Sequence, residues 1–84
     1  MEFYVYILYS QKIDRYYVGY TGDMLQERIR KHNTNHKGYT GIANDWELLY
    51  VESFSSKSDA MRRESQVKKR KSRKYLIQLI ESAG

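Results

Sequence analysis

Near the start of the chain, Phe3-Tyr4-Val5-Tyr6-Ile7-Leu8-Tyr9 is an unbroken aromatic and aliphatic run. A short apolar run without polar alternation predicts a strand buried on both faces. Ser10 to Arg15 is mostly polar and predicts a turn. Tyr16-Tyr17-Val18-Gly19-Tyr20 then predicts a second strand, so the chain opens with a β-hairpin. Thr21-Gly22-Asp23 breaks the strand. Asp23 followed three residues later by Gln26 predicts a capping box and a helix running to about Asn33. Leu25, Ile29 and His32 share one face of that helix, and Arg28 and His32 are i, i+4 neighbours whose tips can meet. Asn33 to Asp45, containing Gly38 and Gly41, predicts a loop, and the alternation from Trp46 to Phe54 predicts a third strand. Ser56 with Asp59 has the serine-to-acid capping pattern and predicts a helix to about Lys71. Ser72 predicts the cap of a last short helix with Leu76, Ile77, Leu79 and Ile80 on its buried side.

The predicted order is β-β-α-β-α-α. A hairpin joined by one more strand gives an α+β fold, a three-stranded, mostly antiparallel sheet flanked by helices. With 84 residues, the whole length, 1–84, is expected to be one domain with one modest core.

Charge narrows the choice of partner. The formal net charge is +5. Residues 57–74 hold Lys57, Arg62, Arg63, Lys68, Lys69, Arg70, Lys71, Arg73 and Lys74 against only Asp59 and Glu64, so this segment exceeds the net charge of the whole chain. A charge run is usually a solvated face. Density and single sign here point instead to a phosphate-binding surface made by Arg62, Arg63, Lys68, Lys69, Lys71, Arg73 and Lys74. The expected partner is nucleic acid, with DNA placed first; charge alone separates neither DNA from RNA nor binding from cutting. The sequence has no cysteine, which excludes disulfides and thiolate zinc sites. Neither a signal-peptide layout nor an apolar run of membrane-spanning length is present, so a cytoplasmic protein with no membrane partner is expected.

Glu64 breaks the pattern of its helix. It lies at i+4 from Ala60 and i−3 from Val67, on the apolar stripe, among cations. Such a carboxylate is either a structural salt bridge or the anchor of a divalent cation, since magnesium is commonly held by one or two carboxylates with water and substrate phosphate completing the shell.

Tyr4-Val5-Tyr6 and Tyr17-Val18-Gly19 on the first two strands, Arg28 and His32-Asn33 on the first helix, Trp46 to Tyr50, Ala60 to Glu64, Val67-Lys68 and Lys71 to Tyr75 recur in one order. That ordered set resembles the GIY-YIG nuclease family in its short stand-alone form, over nearly the whole chain. The resemblance implies a three-stranded antiparallel sheet flanked by helices and an endonuclease, active in processes such as DNA repair, that hydrolyses phosphodiesters with one Mg2+ or Mn2+ ion. It implies that Glu64 holds the metal and that Arg28 clamps the scissile phosphate. Tyr6 and Tyr17 would line the site, with Tyr6 as the base for the attacking water and Tyr17 as its orienting partner. His32 would position water or phosphate or share the base role, and Gly19 would permit close backbone approach. The departures are Tyr4, where the first tripeptide has its glycine, Tyr20, where the excision-repair members carry a lysine, and the later site asparagine of the homing enzymes, which has no assigned counterpart in this sequence.

In-line attack on a phosphodiester needs a water activator, a Lewis acid and cations around the equatorial oxygens, and these residue types meet that list. The alternative is a catalytically silent nucleic-acid-binding module of the same fold. Metal-dependent cleavage separates the two.

Overall fold

The computed structural model describes residues 2–34 and 39–83. Strands β1 (Phe3–Ser10) and β2 (Arg15–Thr21) form the hairpin. Helix α1 (Leu25–His32), a 3-10 turn (Tyr39–Ile42), strand β3 (Glu47–Phe54) and helices α2 (Lys57–Lys69) and α3 (Arg73–Ala83) follow. The order is the expected β-β-α-β-α-α. The sheet runs β2-β1-β3, and both strand pairs are antiparallel. Residues 35–38 of the expected loop lie outside the described residues.

The hydrophobic run forms the central strand because only there are both faces covered. Val5 and Ile7 point to one side and join Val18, Ala60 and Val67 beneath α2 and α3. Tyr6 and Leu8 point to the other and join Ala43 and Trp46, with Leu25 and Ile29 of α1 packed against them. Fully burying each aliphatic side chain of this kind contributes about 1.5–3 kcal/mol. On the edge strand β3, exposed and half-buried positions alternate instead.

Local chemistry sets the element ends. Ser56 Oγ accepts the Asp59 N–H at 3.2 Å and Ser72 Oγ accepts the Tyr75 N–H at 3.2 Å, as their sequences predict. The Asp23 capping box does not form. The Asp23 N–H donates to Thr21 Oγ1 at 3.0 Å, which closes a turn early, so Met24 takes the cap position without a side-chain bond. Asp14 makes the hairpin turn in the left-handed region (φ 52°), which aspartate tolerates. Its carboxylate receives Tyr9 Oη at 2.6 Å and the Arg73 guanidinium, tying the hairpin to α3.

Two further ties brace the frame. Asn33 ends α1, and its side chain clasps the Trp46 backbone, accepting its N–H at 2.7 Å and donating to its carbonyl at 3.0 Å. Arg63 of α2 donates through Nε and a terminal nitrogen, each at 3.0 Å, to the two oxygens of Glu52 on β3. None of the described helices is long and apolar enough to cross a membrane.

Candidate active site and nucleic-acid interface

Antiparallel pairing sets Tyr6 of β1 opposite Gly19 of β2, and Leu8 opposite Tyr17, so Tyr6 and Tyr17 share a sheet face. Their ring centroids are 6.5 Å apart. The space Tyr6 occupies exists because residue 19 has no side chain. A Cβ there would lie 2.7 Å from Tyr6 Oη, 2.8 Å from its Cζ and 2.9 Å from Tyr17 Cε2. The close approach expected at Gly19 is thus an approach of tyrosine side chains.

Helix α1 brings His32 and Arg28 to the same place. The Tyr6 hydroxyl and His32 Nε2 are 2.8 Å apart, in a buried hydrogen bond. The His32 ring lies 4.9 Å from that of Tyr17. Hydrogen bonding to Tyr6 raises the pKa of the Arg28 guanidinium, and burial opposes that shift. Arg28 Nε is buried without a hydrogen-bond partner. Burial raises the Tyr6 phenol above its ordinary pKa, and the adjacent Arg28 pulls against that rise.

Helix α2 supplies Glu64, close enough for its charge to raise the Tyr6 phenol further. The Glu64 side chain is only 18% exposed, and one oxygen lies 3.3 Å from Lys68 Nζ, one turn on. The Lys68 ammonium also sits 5.8 Å from the centre of the Tyr17 ring.

The structure therefore brings Tyr6, Tyr17, Arg28, His32 and Glu64 together with Gly19 behind them. Tyr6 is hydrogen-bonded to His32 and also interacts with Arg28, and the Tyr17 ring packs against those of Tyr6 and His32. Tyr6 is fully buried, whereas Tyr17 is half-buried and holds the solvent-facing position.

The basic set divides. Arg63 is committed to Glu52 and sits partly buried, so it braces the fold. Arg62 pairs with Asp59, Lys68 with Glu64 and Arg73 with Asp14. Lys69, Lys71 and Lys74 are exposed and have no ion-pair partner among the described residues. Sequence reasoning missed the Asn33 clasp, which depends on a fold-back that no local pattern carries.

A family model described as the GIY-YIG catalytic domain matches residues 2–76. This chain belongs to that family. Membership of that family supports nucleic acid as the general class of partner. The UPF0213 protein SH2523 of Staphylococcus haemolyticus is 44% identical over 80 residues, covering 93% of each chain. The UPF0213 protein VNG_2274C of Halobacterium salinarum is 46% identical over 54 residues, 63% of this chain and 69% of that one. The solution NMR structure of the UPF0213 protein BH0048 of Bacillus halodurans superposes with a TM-score of 0.60 at 35% identity, covering 100% of this chain and 87% of the other.

The metal that a GIY-YIG nuclease implies can be tested against these side chains. Among the described residues, no group of three or more His, Asp or Glu converges to hold an ion. Glu64 alone suits an ion that takes most of its ligands from water and substrate phosphate, as Mg2+ and Mn2+ do. The buried, unpartnered Arg28 Nε is the kind of donor that a phosphate oxygen would satisfy.

Proposed function

We propose that this GIY-YIG domain binds nucleic acid through the basic junction of α2 and α3, beside the tyrosine cluster. One observation carries the reading: from Ser65 to Ile80 the chain has no acid, and Lys69, Arg70, Lys71 and Lys74 are all exposed there. Each phosphate such a side chain neutralises releases counterions, so affinity falls steeply with salt.

A second reading builds on the first: the cluster hydrolyses a phosphodiester. The unpartnered Arg28 Nε favours it. Leaving such a donor unsatisfied costs about 1–3 kcal/mol, which a bound phosphate oxygen would recover. In this reading Arg28 and Lys68 stabilise the charge growing on the phosphate, and Tyr17 meets the substrate from the solvent side. The attacking water oxygen bonds to phosphorus as the bond to the leaving oxygen breaks, and the leaving oxygen takes up a proton from solvent water. The water proton passes to the Tyr6–His32 pair, where the phenol accepts it as its own proton moves to His32 Nε2. A divalent ion held by Glu64 would supply Lewis-acid stabilisation of the same phosphate.

Two features weigh toward silent binding. Tyr6 is 0% exposed, and Lys68 already occupies an oxygen of Glu64. Cleavage therefore requires the substrate to draw Arg28 outward and Lys68 off the carboxylate.

The deciding experiment incubates wild type and Glu64→Ala with supercoiled plasmid, single-stranded and branched DNA, and RNA. Mg2+ or Mn2+ is added, chelator serves as control, and binding is measured in parallel by fluorescence anisotropy. Cutting by wild type alone, abolished by chelator, establishes the hydrolytic reading. Binding without cutting by both proteins leaves the silent module. Absence of both activities removes the proposal.

A further inference from the structure

Strand β2 is an edge of the sheet, and its outer side faces the junction of α2 with α3 across an open groove of about 790 Å3. Val67 and Leu76 give it an apolar floor, Arg15 stands on the hairpin side, and Lys68, Lys71 and Arg73 stand on the helical side. Tyr16 and Tyr17 line the wall. We infer that this groove holds the sugar-phosphate backbone of one nucleic-acid strand and leads it to the Tyr17–Glu64 side of the cluster. The inference rests on the nucleic-acid-binding reading and locates the contact.

Charge, shape and connection each support it. The groove contains one acid, Asp14, whose carboxylate is already neutralised by Arg73. Arg73 is thereby fixed, with its guanidinium 5.1 Å from the centre of the Tyr16 ring. Arg15 and Lys71 have no ion-pair partner among the described residues, so their charges remain available. Cations facing each other across an apolar floor suit a chain whose charge repeats along its length while its sugars are weakly polar. Lys68 connects groove and cluster, since it touches Glu64 at 3.3 Å and lies 5.8 Å from the Tyr17 ring centre.

Lys71 adds an independent observation. It follows the end of α2 with φ 47°, in the left-handed region where glycine is the relaxed choice. Its N–H donates to the Lys68 carbonyl at 3.2 Å. A lysine in that conformation strains the backbone while keeping a cation at the groove. Glycine would relieve the strain and remove the charge, so stability and affinity should move in opposite directions.

The test uses the full chain with chelator present and fluorescein-labelled DNA, as a single strand and as a duplex, with anisotropy recorded across a salt series. Arg15→Gln and Lys71→Gly each lower the slope of log affinity against log salt by about one. Lys71→Gly also unfolds at higher urea than wild type. Lys31→Gln and Lys57→Gln, exposed on the outer surface away from the groove, leave the slope at the wild-type value. Groove variants that bind like wild type overturn the inference, as do outer-surface variants that lose the slope. A Lys71→Gly protein that is more stable but binds with the wild-type slope makes residue 71 a backbone feature only and also overturns it. If wild type fails to bind either DNA, the underlying nucleic-acid reading fails, an outcome distinct from binding that ignores the groove.

Discussion

Replacing Gly19 with alanine puts a methyl group where Tyr6 now stands. The new Cβ would lie 2.7 Å from Tyr6 Oη, whereas carbon and oxygen sit comfortably from about 3.4 Å, so the hydroxyl must retreat by about 0.7 Å. Tyr6 is fully buried and anchored at 2.8 Å to His32, so it cannot swing into solvent. The same retreat stretches the Tyr6–His32 contact toward about 3.5 Å, beyond a useful hydrogen bond. Overpacking of this kind costs about 1–3 kcal/mol. The stiffer unfolded chain of an alanine variant returns about 0.4–1 kcal/mol. The expected net loss is about 1–2 kcal/mol, read as a urea midpoint lowered by about 1–2 M for a small domain. The His32 ring nitrogens, followed by NMR in the same samples, should shift as the Tyr6 bond weakens. Equal stability with unchanged His32 signals would refute the reasoning, because it would mean that the sheet absorbs the methyl group without moving Tyr6.

The remaining predictions address the ties and charges around the site. Asn33→Ala removes both bonds to the Trp46 backbone and should cost about 2 kcal/mol in urea unfolding, with Trp46 fluorescence shifted at neutral pH; unchanged emission would count against the clasp. Burial alone would raise the Glu52 carboxyl, but hydrogen bonds from Arg63 and Tyr50 outweigh it and hold the pKa below the ordinary 4.5. The stability this gives is present above pH 4.5 and is lost as pH falls through the depressed value, so wild type should lose more stability on acidification than Glu52→Gln. Parallel acid curves would contradict that. Lys68→Met removes the cation competing for Glu64. For this partly exposed pair, worth about 0.2–1 kcal/mol, Mn2+ binding measured by electron paramagnetic resonance should tighten by up to about fivefold. Weaker binding would show that Lys68 supports the ion instead.

The elements were readable where one physical cause dominates. The unbroken apolar run from Phe3 to Tyr9 can only be a strand covered on both sides, and Ser56 and Ser72 cap helices by local hydrogen bonds. Asp23 shows the limit of that logic. Its capping pattern is present, but Thr21 captures the Asp23 amide first. The cluster residues were legible through their order along the chain. Their division of labour was not, because it depends on burial: Tyr6 lies inside against His32, and Tyr17 faces outward. Nor does a count of positive charges separate Arg63, spent on Glu52, from Lys71, left free beside the groove. Those distinctions arise only when distant segments meet.

The most direct measurement is an NMR titration of the backbone amides of 15N-labelled protein with a short DNA duplex in the presence of chelator. The account predicts shifts concentrated at Arg15 to Tyr17 and from Lys68 to Lys74, with smaller ones at Arg28 and Glu64, all reversed by added salt. An unperturbed spectrum, or shifts centred on the exposed edge of β3 around Leu49 and Val51, would contradict it.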